Sequence, residues 1–504
     1  MHLTEVPAKE SQPLLQLLIS RAETRHLEFK RVSGKMVHKA LETLCAFANT
    51  DGGILVLGFA DVKEFQGASR IFGVNENPEA FDELQRKLLT EIQPSLPDVR
   101  VQRLPALLQN GPCNGQQGHV VMVSVARSQR VHSIVGGGTY LRMDAGNRMM
   151  SATEVTELSY RRGERSATSE PVAIALERLQ TTAWLGYLQG RGTLTGTFED
   201  QLLRIGLAVR VNDAVMPYRA AVLLFADEPG SLLAAYDSRA DVRVMVYDGK
   251  QALTGATPNF RKPPKTVRGP LIDQVDATVR LVLDNLAEGV TLSGSGFKTV
   301  HAYPERVVKE AIVNAIIHRD YRLNRDVFIR IFDDRIEVES PGAFPGNITP
   351  SNISKAGTKA RNPLLALNLR EFPVAPNLDA GEGVRMMFSQ MALADLYPPQ
   401  YRQSTDTAVE SVTVTLFNAK RPSAWDEVSD WIDRHGSIAN ADVVRIARLD
   451  TLKASKLLTS WREQGLLVPL RGRAKRNMAY AKPNGAETEL SLLSALEDNN
   501  AANE

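Results

Sequence analysis

A turn containing two consecutive glycines, Asp51-Gly52-Gly53, joins a helical pattern to an apolar strand near the start of the chain. Residues 35–48 carry apolar side chains at helical spacing, and residues 54–59 form an apolar run. Glycine adopts positive φ without strain, so a helix can turn directly into a buried strand here. The sequence therefore predicts a helix–turn–strand unit, against which the preceding segment must pack.

That preceding segment, residues 27–30, alternates apolar and charged side chains and is predicted to be a second strand. If the two strands pair, four charged residues meet at one place: Glu23, Glu28, Lys30 and Asp61. Carboxylates brought together repel and desolvate one another unless a hard metal ion and a phosphate accompany them. The pattern therefore predicts a metal site on the three acids, with Lys30 stabilising the charge that develops during phosphodiester cleavage.

Each of these residues also has an ordinary interpretation. Glu28 and Lys30 can form an ion pair on the strand, contributing about 0.2–1 kcal/mol. Asp61 can cap a turn. Only the combination of all four favours catalysis.

The glutamate strand, together with Ala46-Phe47-Ala48-Asn49-Thr50-Asp51-Gly52-Gly53, resembles the Schlafen AlbA-2 domain. In Schlafen ribonucleases two glutamates five residues apart and a downstream aspartate form the metal-binding active site, which this resemblance assigns to Glu23, Glu28 and Asp61. It implies Mg²⁺ or Mn²⁺ as cofactor and structured RNA such as tRNA as substrate. Many bacterial members are instead regarded as DNA-binding regulators, so the resemblance also fits a protein that binds nucleic acid without cutting it.

A glycine triplet, residues 136–138, precedes Tyr140-Leu141-Arg142, and a Tyr-x-Arg sequence is common at this place in the family. The glycine backbone could approach a phosphate, with Arg142 as its counter-charge. Arg142 is therefore predicted to bind nucleic acid. The alternative is a flexible hairpin tip.

A second informative stretch begins with a helix on which Glu310, Asn314 and His318 share one face, because they are spaced by four. A β-hairpin follows over residues 327–338, where apolar residues alternate on both sides of an Asp-Asp turn. Further along, Gly381-Glu382-Gly383 opens an apolar helix.

This order resembles the ATP-binding fold of gyrase, heat-shock chaperones, MutL and histidine kinases (the GHKL group), in the divergent form found after AlbA-2 domains. The resemblance implies Glu310 as the base of an ATPase, Asn314 as a Mg²⁺ ligand, and Gly381 and Gly383 as the phosphate loop, with ATP as cofactor.

The adenine-reading position departs from that group, because Ser340-Pro341-Gly342 stands where Asp-x-Gly is usual. Ser340 and Gly342 are assigned to the ATP site, although a neutral hydroxyl is a weaker partner for an exocyclic amine than a carboxylate. The alternative is an empty fold in which Asn314 and His318 only form internal hydrogen bonds.

The C-terminal part is predicted to be a winged helix-turn-helix with helices at 425–434, 441–447 and 451–464 and wing strands at 465–468 and 479–480. The wing tip carries a basic cluster predicted to contact phosphates: Arg471, Arg473, Lys475 and Arg476. Winged helices also serve as protein–protein modules, which is the alternative.

The bulk properties exclude several protein classes. With 43% hydrophobic and 23% charged residues in 504, the chain is not disordered, and its net charge of +2 makes nucleic-acid binding depend on local patches. Cys45 and Cys113 form no CxxC motif, which is typical of a reducing cytosol. No signal peptide or membrane-spanning run is recognised, so a soluble cytoplasmic protein is expected.

The sequence thus predicts an α+β multidomain fold. The expected parts are an AlbA-2 domain (1–165), an α/β connecting domain (172–300) with strands at 220–225 and 242–247, a GHKL-like α/β sandwich (301–420), a winged helix (421–484) and a flexible tail (485–504).

Two functions are consistent with this organisation. One is a metal-dependent endoribonuclease controlled by the nucleotide-binding domain, with phage defence as one setting. The other is a non-catalytic, ATP-responsive DNA-binding transcription regulator. The resemblance favours a homo-oligomer, and RNA or DNA as partner.

Overall fold

Two units make up the computed structural model, Met1–Arg165 and Ser166–Glu504. The structure describes residues 2–32, 36–192, 194–253, 257–293, 296–346, 348–357, 359–376, 382–404, 409–420, 424–470 and 478–482. Helices and strands are mixed in both units, which confirms the predicted α+β class.

The first unit, Met1–Arg165, is a mixed sheet with helices. Its strands are β1 (His2–Glu5), β2 (Leu27–Lys30), β3 (Gly52–Leu57), β4 (Ile92–Gln93), β5 (Arg100–Leu107), β6 (Gln117–Ala126), β7 (Ser133–Ile134), β8 (Tyr140–Arg142) and β9 (Asn147–Met149). Its helices are α1 (Ala8–Ile19), α2 (Met36–Asn49), α3 (Pro78–Thr90) and α4 (Ala152–Arg162). Five strands form the main sheet in the order β1-β5-β6-β3-β2.

Strand β3 is buried along its whole length, and helix α2 packs on the same core. The predicted glycine turn joins them: Gly52 has φ +83, and a Cβ there would lie 2.8 Å from the carbonyl oxygen of Val125. At Gly53 a Cβ would lie 2.6 Å from the Phe47 ring. The turn therefore needs glycine at both positions, one for its φ and both for the close approach of neighbouring atoms.

The second unit, Ser166–Glu504, contains the remaining elements. Its strands are β10 (Ala208–Val211), β11 (Ala214–Pro217), β12 (Val242–Tyr247), β13 (Phe260–Val267), β14 (Ala287–Ser293), β15 (Gly296–His301), β16 (Val327–Ile331), β17 (Arg335–Pro341), β18 (Gln400–Ser404), β19 (Ser411–Phe417), β20 (Ile438–Ala439), β21 (Val468–Pro469) and β22 (Ala479–Ala481). Its helices are α5 (Thr182–Arg191), α6 (Phe198–Arg204), α7 (Arg219–Phe225), α8 (Pro229–Leu233), α9 (Leu271–Leu286), α10 (Glu305–Ile317), α11 (Pro363–Leu369), α12 (Gly383–Leu393), α13 (Trp425–His435), α14 (Asn440–Ala447) and α15 (Thr451–Glu463).

Six of these strands form one sheet in the order β13-β12-β16-β17-β19-β18. Val244, Ile329, Val338 and Val414 are successive register partners across four strands, and all four are buried in the same core. Helices α9 and α10 contact the sheet, and α12 packs against α10. Alternation of apolar residues along β16 and β17 thus places one face of the hairpin under these helices.

The structure differs from the sequence prediction at residues 220–225. This run was expected to be a strand but lies in helix α7, whose seven residues are all buried. A short apolar run surrounded on every side has no periodicity that separates a strand from a helix. The expected boundary near residue 300 also does not divide the sheet, because β12 and β13 join β16–β19.

Three helices, α13, α14 and α15, and the small sheet β20-β22-β21 form the C-terminal part of the second unit. Their core contains Trp425 and Trp461, and the indole nitrogen of Trp461 donates to the hydroxyl of Tyr397 at 3.2 Å. Tyr397 and Phe417 belong to the preceding segment, so this part packs directly against it.

None of the helices in the described residues combines the length and the apolar character that crossing a bilayer requires.

Candidate functional site

The acids predicted near the N-terminus lie in and beside the two paired strands. Strand β2 runs parallel to β3, with Lys30 opposite Leu57. The backbone nitrogen of Gly58 donates to the carbonyl oxygen of Lys30 at 2.8 Å, which holds the ends of the two strands together. Glu23 precedes β2, and a turn in which the Thr24 nitrogen donates to the carbonyl oxygen of Leu27 at 2.9 Å folds it back along the strand. The Glu23 carboxylate thereby accepts from the Phe29 nitrogen at 3.2 Å, next to Glu28. Asp61 follows β3 at the end of the pair where Lys30 lies.

Glu28 is buried, and each of its carboxylate oxygens accepts a hydrogen bond from a cation. The ammonium of Lys30 lies 2.5 Å from Oε1, and a guanidinium nitrogen of Arg142 lies 2.6 Å from Oε2. The side chains of Glu28, Lys30 and Arg142 are 7%, 18% and 0% exposed. A buried charge needs partners of this kind, and Glu28 has one on each oxygen.

Arg142 does not occupy the place predicted for it. Its guanidinium is buried, donates to the side-chain oxygen of Asn147 at 3.0 Å and to the carbonyl of Thr24 at 2.8 Å, and lies over the Phe47 ring. The prediction of a direct phosphate contact is therefore corrected: Arg142 positions Glu28. Residues 140–142 form the short strand β8, and Arg142 is buried there. Its charge therefore pairs with a group inside the domain, the carboxylate of Glu28.

Glu23 is coupled to the other two acids. Burial, the charge of Glu28 and the charge of Asp61 raise the pKa of Glu23, while the hydrogen bond from the Phe29 nitrogen at 3.2 Å and the charge of Lys30 lower it. Glu28 and Asp61 thus both lie within electrostatic range of Glu23. One oxygen of Asp61 accepts from the backbone nitrogen of Lys63 at 3.3 Å. The two ordinary interpretations, an ion pair at Glu28 and a turn cap at Asp61, both describe contacts that exist.

Arg70 was not recognised in the sequence, although it holds this region together. Its side chain is fully buried, and it donates to the carbonyls of Leu18, Ile19 and Arg21 at 2.8–3.2 Å and to that of Ala60 at 2.8 Å. Those carbonyls come just before Glu23 and Asp61 in the chain. Arg70 lies in a polar segment with no pattern, so no sequence signal indicates its role.

The three acids do not form a metal site as they are arranged. Both oxygens of Glu28 are bonded to cations, and in the described part of the chain no group of three or more acidic, histidine or cysteine side chains has a geometry that could hold a metal. The donor set fits Mg²⁺ or Mn²⁺ in type but not in placement.

The second unit contains a cavity of about 510 Å³ beside α10, β17, β18 and the start of α12. Every predicted ATP-site residue that the structure describes lines it: Glu310, Asn314, Ser340, Gly342 and Gly383. Gly381 lies outside the described residues. The predicted phosphate-contacting residues of the wing, Arg471, Arg473, Lys475 and Arg476, also lie outside them.

Glu310 lies against the first residue of α12. The amide nitrogen of Asn314 donates to Oε1 of Glu310 at 3.0 Å, and a Cβ placed on Gly383 would lie 1.7 Å from that same oxygen. The absence of a side chain at Gly383 is therefore what allows the carboxylate to reach the start of the helix. Burial raises the pKa of Glu310, while the Asn314 hydrogen bond and the charges of Arg306 and Lys309 lower it.

The far end of the cavity is shaped by β17. The hydroxyl of Ser340 is buried and donates to the carbonyl oxygen of Ala315 at 2.7 Å, which leaves its oxygen lone pairs as acceptors. Gly342 has φ +106, and a Cβ there would lie 2.8 Å from Cβ of Asp320. Ser340 can thus accept from an amine, and Gly342 is needed for its backbone conformation.

Sequence reasoning did not identify the cations of the cavity. Arg306, Lys309, Lys359 and Arg385 line it, against the carboxylates of Glu310 and Glu382. Positive charge therefore exceeds negative charge, and an anionic ligand is favoured. The rest of the lining is largely apolar and includes Phe344, Ile348, Met386, Tyr401 and Val412.

The Arg361-Asn362-Pro363 sequence bonds to the end of α10 and to the segment that follows β17. The amide of Asn362 is buried and donates to the carbonyls of Ile317 and Arg319 at 2.7 Å each, closing the end of α10. Arg361 bonds to Asp320 and to the carbonyl of Ala343. His318 accepts from the Arg361 backbone nitrogen at 3.5 Å, and burial lowers the pKa of His318 to about 4.

Removing the guanidinium of Arg142 should destabilise the first unit, because Glu28 would then be buried with a single counter-ion. We expect Arg142→Ala to lower the free energy of unfolding by about 3 kcal/mol. Arg148→Ala is the control, because its ion pair with Glu154 is exposed and should contribute little. Hydrogen exchange of β2 and β3 measures the effect, and equal exchange in both variants would contradict it. All four tryptophans, Trp184, Trp425, Trp431 and Trp461, lie in the second unit, so their fluorescence reports on that unit and not on the first.

The raised pKa of Glu310 predicts that this residue lowers the free energy of unfolding of the second unit by an amount that depends on pH. Above its folded-state pKa the ionised carboxylate destabilises the second unit, and below the usual value of 4.5 this cost is absent. Glu310→Gln should therefore raise the free energy of unfolding at neutral pH, with the gain vanishing as the pH falls to that value. Urea unfolding followed by tryptophan fluorescence measures it; a gain independent of pH would show that the carboxylate's charge is not the cause.

Comparison with known proteins assigns two domain types. Residues 23–151 match the family model "Schlafen, AlbA_2", and residues 324–416 match the model HATPase_c_4, described as "Putative ATP-dependent DNA helicase recG C-terminal". Both expected resemblances are thereby confirmed. The first match contains all three acids, whereas the second begins after α10 and so excludes Glu310 and Asn314.

No curated protein matches the sequence. Among solved structures, the DIP2311 protein from Corynebacterium diphtheriae is similar over 94% of this chain and 97% of that chain, with 19% identity and a TM-score of 0.39. A TM-score this low does not bear on fold or function.

Proposed function

We propose that this chain, which joins a Schlafen AlbA_2 domain to an ATPase-type domain, is a nucleic-acid-binding protein that responds to a nucleotide. The observation that carries this proposal is the cavity of the second unit, which gathers the described members of the predicted ATP site around one space. A volume of about 510 Å³ falls within the range of small-molecule sites.

The cavity differs along its length in a way that suits a nucleotide. Arg306, Lys309 and Arg385 lie near the starts of α10 and α12, where backbone N–H groups also favour an anion. Ser340 lies further along α10, beside Ala315, where its hydroxyl oxygen can accept from an amine of a base. Phosphates would lie near the helix starts and the base beside Ser340.

A divalent cation would accompany the phosphates. The amide oxygen of Asn314 and the carboxylate of Glu310 are hard oxygen donors on the cavity wall, and their chemistry fits Mg²⁺. When bound, Mg²⁺ would neutralise phosphate charge. Glu310, held by Asn314 and half-buried, would accept a proton from water in this proposal.

Nucleic-acid binding is supported by two parts of the chain. One is the AlbA_2 domain. The other is the C-terminal part, in which α14, α15 and the strands β21 and β22 follow the order of a winged helix-turn-helix. Lys453 and Lys456 are exposed on α15, which would serve as the recognition helix.

Alanine substitutions at two glycines that line the cavity, Gly383 and Gly357, test this function. Gly383→Ala should abolish binding of a fluorescent ATP analogue or weaken it at least about tenfold, because the new methyl group displaces Glu310 from the start of α12. Gly357→Ala is the matched control: Gly357 lines the same cavity, but a Cβ there meets nothing within 4 Å. Equal loss in both variants, or none in either, would argue against a nucleotide at this place.

The response to nucleotide is measured on the same proteins. Gel-shift affinity for DNA and for RNA should change when an ATP analogue is added to the wild type and to Gly357→Ala, but not with Gly383→Ala. If the wild type binds the nucleotide and the affinity for nucleic acid is unchanged in the wild type and in both variants, nucleotide binding and nucleic-acid binding are not coupled.

A second candidate is a metal-dependent endoribonuclease, favoured by the position of the Glu23 carboxylate, which accepts from the Phe29 nitrogen at 3.2 Å and so lies next to Glu28. Under this proposal, Mn²⁺ and end-labelled tRNA yield discrete fragments that disappear with Glu23→Gln. A wild-type protein that binds the tRNA and leaves it intact would exclude this candidate while leaving the first proposal standing.

A further inference from the structure

We infer that Glu28 is closed to divalent cations in the free protein by two counter-ions of its own, Lys30 and Arg142, and that Lys30 is the one a nucleic-acid backbone displaces. The divalent-cation site would then be created by the nucleic-acid strand that binds beside Glu28.

The two counter-ions are held very differently. Arg142 is fully buried and fixed by further bonds to Asn147 and to the carbonyl of Thr24. Lys30 is partly exposed, and among the described residues its ammonium donates to Glu28. An ammonium on a flexible stem at the surface can move to another anion, whereas a guanidinium fixed on several sides cannot.

The charges around the acids already balance. Glu23, Glu28 and Asp61 carry three negative charges, and Lys30, Arg142 and Arg70 carry three positive ones. Arg70 lies within electrostatic range of Glu23 and Asp61, and its Nη2 is buried with no hydrogen-bond partner among the described residues. A divalent cation entering alone would add two uncompensated charges beside buried guanidinium groups, which is unfavourable at low dielectric.

A phosphodiester removes both obstacles. Its negative charge offsets part of the charge that the cation adds, and its oxygen accepts the ammonium of Lys30 in place of Oε1 of Glu28. Oε1 is then free to face the cation, while Arg142 keeps Oε2 in position. No covalent bond changes in this exchange.

This inference rests on the proposed binding of nucleic acid by the first unit, but part of its test does not. The full-length protein is titrated with Mn²⁺ without nucleotide, and free Mn²⁺ is followed by electron paramagnetic resonance. Wild type and Glu28→Gln should bind the same amount. Lys30→Met should gain one site per chain, with Mn²⁺ affinity at least about tenfold above the wild type. The gain should vanish in Lys30→Met/Glu28→Gln.

Lys30→Gln provides a second variant that removes the charge and keeps a polar contact, in case Lys30→Met fails to fold. A wild-type Mn²⁺ site that Glu28→Gln abolishes would overturn the inference, as would the absence of a new site in both Lys30 variants.

The second part adds a 2′-O-methyl RNA oligonucleotide or a DNA oligonucleotide, with gel shifts on the same samples. The wild type should then bind one more Mn²⁺ per chain than Glu28→Gln. If neither strand binds, the proposed nucleic-acid function of the first unit fails. If a strand binds and no additional Mn²⁺ is taken up, only the displacement of Lys30 is overturned.

Discussion

The charge of Glu28 has to be balanced inside the first unit, and the arrangement around it follows from that requirement. A carboxylate removed from water is stable only with partners in contact, and here they come from opposite ends of the domain sequence. Lys30 is two residues away, whereas Arg142 is more than a hundred residues further along the chain. The ion pair with Arg142 therefore ties β8 to β2, and Glu28 cannot move without disturbing both strands.

Arg70 likewise forms several bonds to one region, but its partners are backbone carbonyl oxygens rather than a carboxylate. One guanidinium bonds to carbonyls that precede Glu23 and Asp61, and it lies over the rings of both Phe29 and Phe59. The spacing of the acids is thus set by a cation that belongs to neither strand. In the second unit the close contact is steric, because Glu310 reaches the start of α12 only where Gly383 has no side chain.

Much of the local structure could be read from the pattern of residues. The glycine turn before β3 follows from the φ that Gly52 requires, and the β16–β17 hairpin follows from alternation with period two. Residues 220–225 could not be read, because an apolar run buried on every side is compatible with either secondary structure. Arg142 was predicted to contact phosphate, because the residues around it in the sequence give no sign of its partner. That partner, the Glu28 carboxylate, lies on a strand more than a hundred residues earlier.

By itself, the sequence predicted candidate site residues and many of the elements that hold them, because turns, caps and periodic burial depend on neighbours a few positions apart. It indicated Glu23, Glu28 and Asp61 in one domain and Glu310 and Asn314 in another. Only the tertiary structure decided how these groups are compensated: Glu28 lies between two cations, and the cavity is lined by more cations than acids. Electrostatic balance depends on distances between residues remote in the chain, and no local pattern encodes those distances.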